Sequence, residues 1–332
     1  MPKITGRRSE SADAHLYLLM TMAFFGSAFA CSKVVVGDVP HQVAAALRFG
    51  GGAVILVALL ALWGGGSKGK ELTSWREVVR AGSVGLVGVF AYNLFFFWGL
   101  SLAPSIDGSI IVPVLSPVLT TGALIVMGWE AASPARLCGL ALGVVGAAAF
   151  FVGVGDTGSE LSGSRLTGDF IFLLGAASWA AYSIASKKVL VGMNPLRATT
   201  YGTVAGALGL IILSIPSLPE TEWSSLTGST WMIIIYLAVG PTAAAYVFYY
   251  RGLRVVSPST ATIMMFTVPV FGVTCSVIFL DESFTGLQLV GAVVMIVGAL
   301  LAVTQGRFRR SGNTSVPRPV KRTDDSESLQ QS

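Results

Sequence analysis

The sequence predicts an all-α membrane protein of ten transmembrane helices, arranged as two inverted five-helix repeats with cytoplasmic N- and C-termini. Composition, the length of the apolar runs and a one-sided distribution of basic residues predict this fold. The 332 residues are 53% apolar and only 12% charged, with a mean hydropathy of +0.72. Soluble domains carry about 25% charged residues. The composition therefore excludes a soluble fold and, for the body of the chain, intrinsic disorder.

The apolar residues fall into ten runs, each about as long as the roughly 20 residues that a helix needs to cross a bilayer. These runs cover residues 15–36, 41–63, 81–101, 106–127, 135–154, 168–190, 195–215, 231–251, 258–280 and 285–304. A segment that crosses lipid must satisfy its own backbone hydrogen bonds, so each run is predicted to be a helix. The alternating segments of about 10 residues that are typical of outer-membrane barrels are not seen.

The runs divide the chain into five predicted segments. They are a cytoplasmic N-terminus (1–14), a first repeat (15–154), an extracytoplasmic linker (155–167), a second repeat (168–304) and a disordered cytoplasmic tail (305–332). The first run is longer than a cleavable signal core, and no small-residue cleavage site ends it. We therefore interpret it as the first span.

Basic residues predict the orientation, because Lys and Arg accumulate in cytoplasmic loops. With the N-terminus inside, all but three of the 22 Lys and Arg residues fall on the cytoplasmic side; the exceptions are Lys33, Arg48 and Arg165. The predicted location is the bacterial cell membrane. The net charge of +5 does not indicate a nucleic-acid partner, since the basic residues are spread through the polar gaps between runs.

The two halves resemble each other in sequence. A shift of 154 places Phe25-Gly26 on Trp179-Ala180, Ser32-Lys33 on Ser186-Lys187, and Ala91-Tyr92 on Ala245-Tyr246; a shift of 152 places Pro117 on Pro269, Glu130 on Glu282, Gly139 on Gly291 and Gly146 on Gly298. Five spans per repeat require the second half to be inverted. Inverted repeats are typical of secondary transporters, which bind substrate near the midplane and alternate access by rocking.

The same landmarks resemble those of the EamA-type drug/metabolite transporters, over residues 15–304. The matching positions are Phe25-Gly26-Ser27, Arg48-Phe49, Pro117, Glu130, Gly139 and Gly146, and then Trp179, Tyr246, Pro269, Glu282, Gly291 and Gly298. One departure is Phe25-Gly26, where many relatives have Trp-Gly. The resemblance implies a ten-helix exporter or permease for small metabolites, often amino acids, with a central cavity.

Aromatic and polar side chains inside the spans are the candidate substrate-binding residues. They are Tyr92, Asn93, Ser109, Trp179, Tyr182, Tyr246 and Tyr249. Trp179 and Tyr182 share one helical face, and a phenol in hydrocarbon needs a polar partner, which favours a cavity over a lipid-facing position. For Asn93, a hydrogen bond between helices is the equal alternative to substrate contact.

Prolines and glycines within the spans predict mechanical roles. Pro113, Pro117 and Pro269 remove backbone donors, and they produce either static kinks or bends that gate the cavity. Gly139 and Gly143, with the glycines at 291 and 298, predict close helix packing. That packing is either within the chain, as in a monomer, or with a second subunit in a homodimer, and the sequence leaves both open.

Few ionisable residues lie inside the spans. Arg48 is a candidate charge contact, which either pairs with Asp38 or Asp107 or binds a substrate carboxylate; structural pairing is the favoured interpretation. Glu130 and Glu282 are expected to cap the helices that follow them. Because no carboxylate is expected at mid-span, we expect facilitated transport, with proton antiport as the alternative.

The predicted function is a permease or exporter for a small neutral or zwitterionic metabolite such as an amino acid, without cofactor or metal. The three cysteines lie in apolar runs without metal-ligand spacing. No P-loop or HExxH motif occurs, and neither histidine is placed to activate a serine. A proton-coupled drug/metabolite antiporter is the first alternative, and an intramembrane enzyme or scaffold is the second.

Overall fold

The computed structural model describes residues 4–63, 74–155, 162–253, 255–256 and 264–304. The predicted tail 305–332 and part of the linker 155–167 lie outside these ranges. All regular structure within the described ranges is helical. The membrane class predicted from composition is therefore matched by the secondary structure.

Within the described ranges, the helices follow one another along the chain. They are α1 (Ile4–Asp38), α2 (His41–Trp63), α3 (Trp75–Gly85, π-helical Leu86–Ala91 and Tyr92–Leu102), α4 (Ser105–Val126), α5 (Pro134–Gly155), α6 (Ser162–Val189), α7 (Pro195–Ser214), α8 (Gly228–Leu237, π-helical Ala238–Ala244 and Ala245–Leu253), α9 (Val268–Leu280) and α10 (Gly286–Thr304). Nine of these described helices are long and apolar enough to cross a membrane. At 13 residues, α9 is shorter, and 257–263 before it lie outside the described ranges.

Helices α3 and α8 each contain a π-helical segment at equivalent positions of the two repeats. In α3 the segment Leu86–Ala91 ends just before Tyr92, and in α8 the segment Ala238–Ala244 contains Pro241 and ends two residues before Tyr246. Such segments are common at functional sites because they shift the side chains that follow. The apolar pattern of the sequence does not reveal them.

Contacts between helices have the symmetry expected of a repeat. α1 packs on α8 and α9, and α6 packs in the same way on α3 and α4, while α2 meets α7, α4 meets α9 and α5 meets α10. The equivalent helices α4 and α9 are antiparallel, since Ser105 lies at Ser276 whereas Ser109 lies at Gly272. An antiparallel pair of equivalent helices is the geometry of an inverted repeat.

Glycines bring α5 and α10 into backbone contact along their length. A Cβ added at Gly146 would lie 2.5 Å from the amide nitrogen of Met295, and one added at Gly291 would lie 2.5 Å from that of Phe150. Gly139 and Gly298 face each other about two turns further along. The small-residue faces predicted from the sequence therefore pack against each other within the chain.

The three prolines occupy two kinds of position. Pro113 and Pro117 lie inside the continuous helix α4. Pro269 lies in the first turn of α9, where a missing backbone N–H leaves no intrahelical bond unmade. Within the described residues, prolines can therefore bend α4 along its length, whereas Pro269 causes no bend inside α9.

Candidate functional site

Helix α2 places the guanidinium of Arg48 at the contact between the two halves. The residue is 7% exposed. Its Nε donates to Thr242 Oγ1 of α8 at 3.2 Å, and its Nη1 donates to Ser32 Oγ of α1 at 3.4 Å. Thr242 lies in the π-helical segment of α8. The charge is thus held by hydroxyl groups from both repeats.

Aromatic rings complete the surroundings of Arg48. The guanidinium carbon lies 4.9 Å from the ring centre of Phe49, 5.7 Å from that of Phe96 and 5.9 Å from that of Phe97. Rings at these distances stabilise a cation through their quadrupoles. Among the described residues, no carboxylate pairs with Arg48.

The acidic partners expected for Arg48 lie elsewhere. Asp38 accepts a hydrogen bond from Thr230 Oγ1 at 2.5 Å, and Asp107 accepts two from Arg165 at 2.6 and 2.8 Å. Both acids lie near helix ends, whereas Arg48 lies about two turns inside α2. The structural ion pair that the sequence favoured is therefore not formed.

Three predicted binding residues form one continuous aromatic array. The ring of Tyr92 lies 5.0 Å from Trp179 and 5.9 Å from Phe96, and the ring of Trp179 lies 5.2 Å from Tyr182. Phe96 is one of the rings that contact Arg48. The array, which we call the aromatic wall, therefore leads from the guanidinium along α3 and α6.

Tyr246 lies on α8, in the second repeat. Its ring packs edge to face on Phe25 at 6.2 Å. The guanidinium of Arg48 interacts electrostatically with the phenols of Tyr92 and Tyr246. The two repeat-equivalent tyrosines are therefore both placed around the same cation.

A cavity of about 290 Å³ opens between α3, α6 and α7. Its lining includes Tyr182, Ser186, Lys187, Thr203 and Tyr246. The volume is close to the lower bound of about 300 Å³ for small-molecule sites. Tyr182 and Tyr246 connect this cavity with the aromatic wall and with the surroundings of Arg48. We call the end of the bundle where it opens the cavity end.

The other candidates make contacts of their own. Ser109 donates to the carbonyl of Ile106 at 2.8 Å and packs where α4 meets Gly272. Asn93 donates to the carbonyl of Val89 at 2.8 Å, and its Oδ1 has no hydrogen-bond partner among the described residues. Tyr249 packs beside the small cluster formed by Ala14, Leu18 and Val256.

Polar side chains form a cluster at the opposite end of the bundle, which we call the cluster end. Glu282 accepts hydrogen bonds from the backbone N–H groups of Ser105 and Ile106, at 2.9 and 2.7 Å. It therefore caps α4 of the other repeat, and not the helix that follows it, as the sequence suggested. The following helix α10 is capped by Thr285 and Gln288.

The repeat-equivalent Glu130 makes a different contact. It pairs with Arg136 Nη2 at 2.8 Å, and its side chain is 32% exposed. The expected capping of the following helix by Glu130 is thus replaced by an ion pair with Arg136 in the first turn of α5. Equivalent acids of the two repeats therefore serve different ends of the bundle in different ways.

Several site residues are not singled out by sequence reasoning. Ser32 was noted in the sequence only as a landmark of the repeat, and Thr242 and Phe96 were not noted. Asp169, about two turns into α6, escapes notice as a fully buried carboxyl. The available signal was a polar residue inside an apolar run, the pattern that identified Arg48. Within the described ranges, no three His, Cys, Asp or Glu side chains are grouped to hold a metal ion.

Comparison with known proteins identifies the fold and the broad role. Residues 13–152 and 166–304 each match the model of the EamA-like transporter family. A protein of known crystal structure superposes with a TM-score of 0.60 at 22% identity, over 92% of this chain and 99% of the other. This likeness supports the fold alone. The resemblance seen in the sequence is confirmed.

Relatives of similar length are named as transporters. The uncharacterized transporter YyaM of Bacillus subtilis (strain 168) is 27% identical over 87% of this chain and 93% of its own. The aromatic amino acid exporter YddG of Ancylobacter novellus is 25% identical over 86% and 96%. The uncharacterized inner membrane transporter YedA of Escherichia coli (strain K12) is 24% identical over 86% and 88%. The molecule is a multi-pass membrane transporter of the cell membrane.

Proposed function

Because the chain belongs to the EamA-like transporter family, we propose that it is a secondary transporter for a small metabolite that carries a carboxylate, with amino acids as the first candidates. Substrate binds between the repeats and reaches either side of the membrane by alternating access. Ten spans with both termini in the cytoplasm are part of the proposal. The single observation that carries it is the buried guanidinium of Arg48.

A buried cation without an anionic partner is expensive, because hydroxyl groups replace only part of the hydration it loses. Ser32 and Thr242 each supply one such group, and a guanidinium has five N–H donors. A carboxylate accepts two parallel hydrogen bonds from this fork. Arg48 is therefore suited to bind the carboxylate of a substrate.

The aromatic wall supports an apolar or aromatic part in the same substrate. The rings of Tyr92 and Trp179 lie 5.0 Å apart, and Tyr92 contacts Phe96, whose ring borders the guanidinium. Binding sites of this kind are mostly apolar with a few placed polar groups. The name of the aromatic amino acid exporter YddG agrees with this chemistry. A carrier for strongly anionic substrates would need several cations at the site.

The cavity end is proposed to face the cytoplasm. It carries Lys187 and Arg80, in line with the rule that basic residues stay inside. The cavity then opens inward, toward the cytoplasmic pool of the metabolite. Transport is proposed to be facilitated, with the direction set by the substrate gradient.

Counterflow in proteoliposomes tests this function. Vesicles loaded with one unlabelled amino acid are diluted into the labelled compound, and a panel covers aromatic, aliphatic and acidic members as well as amines without a carboxylate. We expect uptake above that of empty vesicles for carboxylate compounds and none for the matched amines. Equal uptake of acid and amine would contradict the role of Arg48.

The variant Arg48→Gln sharpens the test. It removes the charge and keeps hydrogen-bonding groups, so we expect a loss of carboxylate uptake of about tenfold to a hundredfold, because charge-assisted hydrogen bonds contribute about 1.5–3 kcal/mol. The matched control is Arg80→Gln at the cavity end, where Arg80 binds the carbonyls of Val189 and Val191. Arg80→Gln is expected to change uptake less than threefold.

A further inference from the structure

A pair of buried carboxyl groups lies at the cluster end, away from Arg48. Asp107 of α4 and Asp169 of α6 are both fully buried, and their carboxyls are within hydrogen-bonding range of each other. Asp107 accepts two hydrogen bonds from Arg165, at 2.6 and 2.8 Å, and one from Gln288 at 3.4 Å. Its partners are those of an ionised carboxylate.

Asp169 has a different environment. Neither of its oxygens accepts a hydrogen bond from an N–H or O–H group of the described residues. An ionised carboxylate in such a place is strongly unfavourable, because nothing replaces its hydration. A neutral carboxyl has an O–H group, which can donate a hydrogen bond to the adjacent Asp107. Two ionised carboxylates in contact also repel each other, so such a pair retains one proton.

The charges around the pair also indicate that it binds one proton. Within the described ranges, the charged groups that face it are Arg165 of α6, Lys33 of α1 and Glu282 after α9, and Gln288 of α10 is neutral. Lys33 donates to two backbone carbonyls at the end of α3, at 2.7 and 2.8 Å. Three carboxylates against two cations leave one negative charge, which a single proton neutralises.

We propose that Asp107 and Asp169 form a proton-binding site that is filled when the cluster end is closed and emptied when that end opens. The inference rests on the proposed function in one respect, that the cluster end opens during alternating access. On opening, the O–H bond of Asp169 breaks, the proton passes to water on that side, and both carboxylates remain ionised and hydrated. Closing reverses each step.

The location of the pair determines the consequence. Because it lies at the cluster end, the proton is taken up from and returned to the same side, so none crosses with the substrate. Lowering the pH on that side stabilises the closed state, since the closed state binds the extra proton. The ratio of closed to open molecules changes by up to about tenfold per pH unit for one proton.

Infrared spectroscopy of the purified full-length protein tests the proton directly and requires no substrate. The wild type is expected to show the carbonyl stretch of a protonated carboxyl, shifted in deuterated water. In Asp169→Asn this band disappears, while the amide N–H takes the place of the acid O–H toward Asp107 and preserves the fold. Glu130→Gln, which removes a partly exposed carboxylate, is the control and keeps the band. A band unchanged in Asp169→Asn overturns the proposal.

Counterflow at varied pH on the cluster side provides the second readout. Wild-type exchange is expected to fall as that pH is lowered, and Asp169→Asn is expected to lose this dependence while still exchanging substrate. The inference is contradicted if exchange by Asp169→Asn depends on pH as strongly as that of the wild type. It is also contradicted if one proton crosses the membrane with each substrate. Absence of wild-type exchange for every carboxylate compound would instead contradict the proposed function, and the infrared result would then decide the proton site alone.

Discussion

The two ends of the bundle are built from equivalent positions of the two repeats, yet one is sealed and the other is open. At the cluster end, Lys33 lies at the end of α3 and donates hydrogen bonds to the carbonyls of Leu100 and Ala103. Its repeat equivalent Lys187 is exposed and lines the cavity. The same residue type at the same repeat position thus closes one end and borders the opening at the other.

The acidic groups differ between the ends in the same way. Under the repeat shifts, the position of Asp169 corresponds to His15 and that of Gln288 to Arg136. The cavity end therefore has no counterpart of the buried carboxyl pair within the described residues. The closed cluster end is held by charge-assisted hydrogen bonds. Because the two ends differ chemically, the pseudo-symmetric fold favours the conformation in which the cluster end is closed, although the helices of the two repeats are equivalent.

The largest effect on the stability of the whole fold is expected at the α5–α10 pair, whose backbones are in contact. Gly291→Ala places a Cβ 2.5 Å from the Phe150 amide nitrogen. Separating the two backbones is expected to cost about 1–3 kcal/mol of stability, seen as a lower melting temperature in detergent. Gly286→Ala is the control, since its Cβ meets no atom within 4 Å. Equal melting of the two variants would show that close packing here is unimportant.

The next largest effect should reduce the difference between the closed cluster end and the open cavity end. Glu282→Gln weakens the cap that joins the two repeats, and charge-assisted hydrogen bonds of this kind contribute about 1.5–3 kcal/mol. The cluster end should then open more often, by about tenfold for each 1.4 kcal/mol lost. Maleimide labelling of Ile106→Cys, in a background without the native cysteines, measures that opening, because Ile106 is fully buried.

Labelling of Ala198→Cys, which lines the cavity, is the reference for the other end. It should remain constant or fall in Glu282→Gln while Ile106→Cys labelling rises. A parallel rise at both positions would indicate general loosening of the fold and would contradict a specific seal at the cluster end.

The smallest effect is expected for the equivalent acid, Glu130. Its pair with Arg136 is partly exposed, and pairs of this kind contribute about 0–1 kcal/mol. Glu130→Gln is therefore expected to change the melting temperature and Ile106→Cys labelling only slightly. An effect of Glu130→Gln as large as that of Glu282→Gln would remove the distinction between the two ends.

Much of the fold could be predicted from the sequence, because lipid imposes simple rules on length and hydrogen bonding. Nine of the predicted spans have a counterpart among the helices long enough to cross a membrane. The repeat landmarks Pro117, Glu130 and Gly139 also led to the EamA-like family, which two separate matches confirm. The prominent aromatic residues Tyr92, Trp179 and Tyr182 were recognised because large polar aromatics are unusual at mid-span.

The contacts of the site were decided by tertiary structure. The expected partners of Arg48 were acids, and it found Ser32 and Thr242 instead. A helix that is apolar on all sides carries no signal for its rotation about its axis, so sequence alone does not say which side chains meet. The π-helical segments of α3 and α8 change that rotation further along the helix.

By itself, the sequence determined the membrane class, the repeat, the family and the presence of a cation and an aromatic cluster inside the bundle. Only the tertiary structure decided that Glu282 caps α4 and that Asp169 meets Asp107. The physical reason is range. Span length, charge bias and repeat spacing are properties of the chain, whereas these polar contacts join helices far apart in sequence and form only when those helices pack.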